Sequence, residues 1–225
     1  MKPIETDVQK RLKVLKANEY FDDLSGAILK DIAEHMHLRE YQRGDVLFWE
    51  GDPCDGLHII EQGSAKIFTL SPQGRQYIIR MLQEGDTFAE VPAFDEGTNP
   101  VNVGALELCR VWVIDREKLH ELILSHPVFA QKVLNNFGKM LRGMVRMASE
   151  MAFYQVTHRL ARLIAELPGE KSAPIWTQEQ LAARLGTVRE VVARSIKELE
   201  RSGAIKMEER RILIADQEIL DQWMQ

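Results

Sequence analysis

Cysteine is almost missing from this chain of 225 residues: only Cys54 and Cys109 occur, far apart and in different local contexts. That excludes a disulfide framework, a zinc ribbon and a four-cysteine iron–sulfur cluster, and it reads both thiols as packed side chains. Long apolar runs are missing too. None approaches the roughly 20 residues that a membrane span needs, and Met1 to Lys16 alternates charge with isolated Val and Leu where a secretion signal would carry an apolar core. The expectation is a cytoplasmic protein with no membrane partner. Positive charge is not in excess either, since 29 Lys and Arg stand against 34 Asp and Glu. The average hides an asymmetry: residues 1–151 hold 18 Lys and Arg against 23 Asp and Glu, whereas residues 152–215 hold 11 against 8. With 45% hydrophobic and 28% charged residues the chain has the composition of a folded protein, and its length suits two small domains.

From Tyr41 to Ile114 short strands alternate with glycine turns. Strands are expected at 45–49, 57–60, 65–70, 76–82 and 109–114, with turn glycines at Gly44, Gly51, Gly56, Gly63, Gly74 and Gly85. Many short strands with regular turns indicate a small antiparallel barrel or sandwich. Ser71-Pro72-Gln73-Gly74 reads as a hairpin tip, because proline sets one turn angle and glycine accepts a positive φ.

After Asp115 the period changes. Pro127 to Leu167 contains no second proline and spaces its apolar residues for one face of a long helix. Val133, Phe137, Met140, Met144, Met147, Met151 and Tyr154 follow alternating steps of four and three, a heptad seam. The seam either packs on its own barrel or pairs with a second subunit, and a second apolar stripe, Leu134, Leu141, Val145 and Ala148, lies beside it. One stripe can serve each purpose. The first, Val133 to Met151, is taken here as the dimer interface, where three adaptable methionines would tolerate a shift in register.

Pro168 to Pro174 is the clearest loop. Beyond it Thr177 caps a helix over 178–185, with Gln180 placed for a capping box, and Gly186 ends it. A second helix over 188–201 closes at Ser202-Gly203, and two short apolar runs, 204–207 and 211–214, form a wing. A short helix, a glycine turn and a second helix that opens with polar residues make a helix-turn-helix. Its second helix must present its first turns to base edges in the major groove. Arg189 and Arg194 can each donate two hydrogen bonds to guanine, and Glu190 can accept from cytosine. Thr187, Gln178 and Arg184 are the expected phosphate contacts. The plainer alternative is an ordinary solvated helix face.

These motifs, in this order, resemble the cyclic AMP receptor protein and fumarate-nitrate regulator (CRP/FNR) family along essentially the whole chain. The resemblance is carried by the glycine-punctuated barrel, Gly85-Asp86-Thr87-Phe88-Ala89-Glu90 with Phe94, the long helix, and Leu185 to Arg194. It implies an α+β fold with a cupin-like antiparallel β-barrel of the cyclic-nucleotide-binding type over 1–126, a dimerisation helix over 127–151 and a winged helix-turn-helix over 152–225. It further implies no enzyme but a homodimeric DNA-binding regulator on a palindrome with GTGA-like half-sites, base readout by Arg189, Glu190 and Arg194, and RNA polymerase as a further partner. Val188 departs from the small hydroxylated residue usual at its position.

For the effector, the resemblance places a pocket at Phe88, Ala89 and Glu90 with Pro100 and Val101. Glu90 matches the family's ribose-binding glutamate. Pro100-Val101 stands where cyclic AMP binders have Arg-Ser, and neither side chain can hold an anion, so cyclic AMP is not expected. Arg75, Arg80 and Arg110 are read as projecting outward. Thr87 to Glu90, Phe94 and Asn99 to Val101 are also similar to the nitric-oxide-responsive branch, which makes haem the alternative, with His37, His58 or Cys109 as axial ligand and nitric oxide or CO as the signal. No iron–sulfur cluster and no other metal site is expected. A cupin-type metal enzyme is the remote competitor: His35 and His37 have its histidine spacing, but they fall at the end of the amphipathic stretch 27–38, upstream of the strands.

Overall fold

The computed structural model describes residues 7–166, 176–208 and 211–225. It divides into two compact units, Met1–Thr69 with Ile79–Met140 and Leu70–Ile78 with Leu141–Gln225. Among the described residues no helix is long and apolar enough to cross a membrane.

The first unit opens with two side-chain-capped helices. Asp7 accepts from the Gln9 amide to start α1 (Val8–Ala17), and Ser25 accepts from the Ile28 amide to start α2 (Gly26–Glu34). There follow β1 (Met36–Tyr41), β2 (Val46–Phe48), β3 (Gly56–Gln62), β4 (Ala65–Leu70), β5 (Gln76–Leu82), β6 (Thr87–Phe88), α3 (Glu90–Asp95), β7 (Asn102–Ala105), β8 (Cys109–Asp115) and α4 (Arg116–Ser125). The strands form two four-stranded sheets, ordered β1-β8-β3-β6 and β2-β7-β4-β5. Strand periodicity sorts β3 and β8 between two cores. Leu57, Ile59, Trp112 and Ile114 point to a helix-covered core with Leu15, Tyr20, Phe21, Leu29 and Phe129, while Ile60, Cys109 and Val111 point to a second core with Tyr41, Leu82, Phe88 and Val103. Buried on both faces, these strands read as continuous apolar runs.

Three strands were not expected from sequence. β1 places His37 on a strand paired with Val113, not at the end of a helix. The two-residue β6 pairs with β3. β7, Asn-Val-Gly-Ala, contains two residue types that strands disfavour. It is held because Asn102 accepts from the Glu50 amide at 2.9 Å and donates to the Phe68 carbonyl at 3.1 Å, so its buried amide is satisfied.

The remaining elements are α5 (Pro127–Phe153), which opens in the first unit and closes in the second, α6 (Val156–Ala165), α7 (Gln178–Leu185), α8 (Arg189–Ser202), the antiparallel hairpin β9 (Ile205–Glu208) and β10 (Arg211–Ile214), and α9 (Gln217–Trp223). The expected loop Pro168 to Pro174 lies outside the described residues. The single long helix is in fact two. Gln155 takes extended angles (φ −65°, ψ 161°), and the Arg162 guanidinium lies 3.7 Å from the centre of the Tyr154 ring, a packing contact that overrides the helix propensity of the sequence. Leu160, Ala161, Ile164, Leu181, Leu185, Val192, Ile196, Leu199, Ile205 and Leu220 make the core of the second unit. α9 docks there through Trp223, whose ring N–H donates to the Ser202 hydroxyl at 3.0 Å, and through Arg162, which donates to the Met224 carbonyl at 2.9 Å.

Candidate functional site

The ends of α7 and α8 carry the first site. Thr177 and Gln180 form the reciprocal capping box, Thr177 donating its amide to Gln180 Oε1 at 2.8 Å and accepting from the Gln180 amide at 3.2 Å. Gly186, at φ 62°, closes α7 in the left-handed conformation, and Arg159 donates to the Leu185 carbonyl at 2.8 Å, satisfying the helix end. Gly203 closes α8 likewise, at φ 82°. Val188 stands at the N-cap of α8 with no side-chain bond to offer. Val192, Ser195, Ile196 and Leu199 face the core, while Arg189, the first residue of α8, and Glu190 and Arg194, on its outward side, are exposed.

Arg189 is not loose. Its Nε donates to Gln178 Oε1 at 3.3 Å and lies 3.4 Å from Glu179 Oε1. Gln178 and Thr187 are half-buried beside the turn. Arg184 is also half-buried, its guanidinium 5.2 Å from the centre of the Trp176 ring, and loss of solvent draws its pKa below the ordinary arginine value. Sequence reasoning missed Glu179 and Trp176. The capping box alone could have placed Glu179 in the first turn of α7, next to Gln178.

The second site lies where β6 meets α3. Ala89 has φ 62°, a left-handed conformation that costs a residue with a Cβ about 1–2 kcal/mol, and it sets Glu90 at the first turn of α3. Glu90 is buried, and Thr87 Oγ1 donates to its carboxyl at 2.9 Å. Burial lifts the Glu90 pKa above the ordinary carboxyl value, against hydrogen bonds from its own amide and Thr87 and the charge of Arg80. Phe88 is fully enclosed, with its ring 4.9 Å from His58 and 6.0 Å from Phe48. Pro100 and Val101 lie on the approach to β7, the first exposed and the second half-buried. Arg80 donates to Asp86 at 3.0 Å and to the Thr87 carbonyl at 3.4 Å, and Arg110 pairs with Glu40 at 2.9 Å. Two residues missed from sequence join this region. The buried phenol of Tyr20 is bonded by Asn136 of α5, and its pKa is raised by burial first and by the nearby Glu90 charge second.

Of the haem-ligand candidates, His58 and His37 are already engaged by protein groups and Cys109 is enclosed. His58 is fully buried, its Nδ1 donating to the Gly56 carbonyl at 3.0 Å and its Nε2 3.5 Å from Asp55, and burial pulls its pKa down to about 4. His37 lies between Arg39 and Asp115. Cys109 is fully enclosed, and burial pushes its thiol up to about 11. Among the described residues no group of three or more His, Cys, Asp and Glu side chains could hold a metal ion. His35 caps α2, its Nδ1 donating to the Asp31 carbonyl at 2.9 Å, and His120 Nδ1 lies 3.4 Å from Glu96.

The expected dimer seam divides. Val133, 4% exposed, and the partly buried Phe137 pack into the helix-covered core of their own unit, so the start of that stripe is corrected to an internal contact. Met140 is half-buried, and Met147 accepts a hydrogen bond from the Tyr77 hydroxyl at 3.3 Å. Met144 and Met151 are exposed, and beside them the second stripe is bare: Leu134, Leu141 and Val145 are each at least 60% exposed.

Comparison with known proteins adds the lineage. Residues 38–126 match the cyclic nucleotide-binding domain family and residues 158–223 the Crp-like helix-turn-helix domain family. The chain is 25% identical over 217 residues to a CRP-like cAMP-activated global transcriptional regulator of Mycobacterium tuberculosis, covering 92% of this chain and 97% of that one. It is 28% identical over 198 residues to the cAMP-activated global transcriptional regulator Vfr of Pseudomonas aeruginosa, covering 83% and 92%. In structure it is similar to a putative transcriptional regulator of the crp/fnr family from Eubacterium rectale, with a TM-score of 0.75, 20% identity and coverage of 92% and 99%. With the two domain families in tandem and relatives that match nearly end to end, the chain belongs to the CRP/FNR family of transcription regulators.

Proposed function

We propose that this chain is a homodimeric, sequence-specific DNA-binding regulator that reads a palindromic operator with GTGA-like half-sites through Arg189, Glu190 and Arg194. The observation that carries this reading is the exposure of those three side chains on the first turns of α8, while Val192, Ser195, Ile196 and Leu199 anchor the same helix in the core. Gln178, Thr187 and Arg184 are the phosphate contacts, with Arg184 steadied by Trp176. The bare stripe Leu134, Leu141 and Val145 with Met144 and Met151 is the surface that a second copy covers.

The barrel holds the effector site, at Glu90. The named relatives are activated by cyclic AMP, and three features support a different ligand here. Pro100 and Val101 offer no side-chain donor to a phosphate, the Glu90 carboxyl is already engaged by Thr87, and Arg80 and Arg110 are engaged by Asp86 and Glu40. Tyr20 and Asn136 supply a polar connection from the surroundings of Glu90 to α5, so that a ligand disturbing Glu90 acts on the helix that carries the dimer stripe.

The test is a titration of the selected operator with wild-type protein, Arg194→Ala and Arg184→Ala. Arg194→Ala should lose about 1–3 kcal/mol on the operator and relax preference at one base position, while Arg184→Ala weakens all sequences alike. Equal losses on operator and scrambled duplex from both variants would reject base readout by Arg194.

A further inference from the structure

The front of the helix-turn-helix carries a carboxylate that the proposed readout does not use. Glu179 is the second residue of α7, fixed there by the Thr177–Gln180 capping box, and its side chain is 65% exposed. It lies 3.4 Å from Arg189 Nε, the same atom that donates to Gln178 Oε1. Both acceptors therefore engage the inner nitrogen. Among the described residues the terminal nitrogens of Arg189, the fork that can face a guanine edge, have no protein acceptor. An exposed ion pair of this length contributes little to folding, so stability does not account for the position of the charge.

Resting on the DNA-reading role of α8, we propose that Glu179 is a specificity-determining and positioning residue for that readout. It acts in two ways. It holds the stem of Arg189 so that the fork points outward, and it places a negative charge against the duplex backbone where every sequence presents phosphate. Non-specific binding is almost wholly electrostatic, so a carboxylate at the front weakens it on all sequences. On the operator the loss is offset, because the oriented Arg189 meets its guanine. The ratio of specific to non-specific affinity rises as a result. Glu190 shares the first turn of α8 but is assigned a base contact, which leaves Glu179 as the carboxylate with no base to read.

Full-length wild-type protein, Glu179→Gln and Glu179→Ala are compared on the selected operator and on a scrambled duplex at 50 mM and 500 mM salt. Glu179→Gln keeps an oxygen for Arg189 but removes the charge, so it holds the guanidinium less firmly. It should bind the scrambled duplex about threefold or more tighter at the lower salt, gain less on the operator, and lose its advantage at the higher salt as screening removes the repulsion. Glu179→Ala should in addition relax preference at the guanine assigned to Arg189. An unchanged affinity of Glu179→Gln for scrambled duplex, or equal gains on both duplexes, overturns the proposal. Failure of the parent reading looks different: wild-type protein would then show no preference between operator and scrambled duplex. Glu179 lies on the exposed side of α7, and circular dichroism checks that both variants keep the fold.

Discussion

Thr87 and Glu90 are joined by a hydrogen bond of 2.9 Å inside the barrel, and burial of the carboxyl outweighs that bond in setting its protonation. Burial holds the Glu90 pKa above its ordinary 4.5, so the folded state retains a proton that the unfolded chain releases. The contribution of Glu90 to stability is full below the unfolded value and falls as pH rises through the folded one. Glu90→Gln keeps the acceptor for Thr87 and cannot ionise. Urea unfolding from pH 4 to 7 should show the variant gaining on wild type as pH rises, and a difference that stays flat would contradict the assignment.

His58 gives the opposite slope. Its folded pKa of about 4 lies below the ordinary 6.5, so its contribution is present above 6.5 and is lost as pH falls through the folded value. A shift of that size corresponds to about 3 kcal/mol. Asp55, Arg39 and His37 are the charged and titratable neighbours. His58→Phe, seated between the rings of Phe48 and Phe88, should lose most of that acid dependence in the same unfolding series.

Val188 leaves the first amides of α8 without a side-chain cap. Val188→Ser, at a half-buried position with extended angles, should stabilise the second unit by about 1 kcal/mol, read from urea unfolding. A loss of stability would mean that packing of the valine outweighs capping.

The buried start and the exposed middle of the methionine seam on α5 should respond differently. Met144→Glu places a charge on the exposed stripe and should shift the protein from dimer to monomer in sedimentation while leaving its unfolding midpoint nearly unchanged. Val133→Ala should cost about 2 kcal/mol of stability and leave the dimer intact, since Val133 packs inside its own unit. A dimer that survives Met144→Glu puts the interface elsewhere.

Much of this architecture is legible in the residues, for identifiable reasons. Glycine turns and period-two runs located β4 and β5 at their observed bounds, and the capping box and Gly186 did the same for α7. These signals are local. β7 was illegible because its stability comes from Asn102 bonding to residues 34 and 52 positions away in sequence. The break after Phe153 depends on a contact with Arg162, and the division of the methionine seam depends on which face of α5 meets the barrel core. At the proposed DNA-reading front the exposure of Glu190 and Arg194 was readable from helix periodicity. The approach of Glu179 to Arg189 was not, because it is set by how α7 packs on α8.

The central claim is that two copies of α8 read two half-sites of one palindrome. Selection of duplexes bound by the full-length protein from a random pool tests it most directly. An inverted repeat whose half-site centres are about 34 Å apart, roughly one turn of the duplex, should be enriched, with a guanine in each half-site whose enrichment disappears for Arg194→Ala. A pool that stays random, or converges on a single unrepeated site that Arg194→Ala selects equally well, would contradict it.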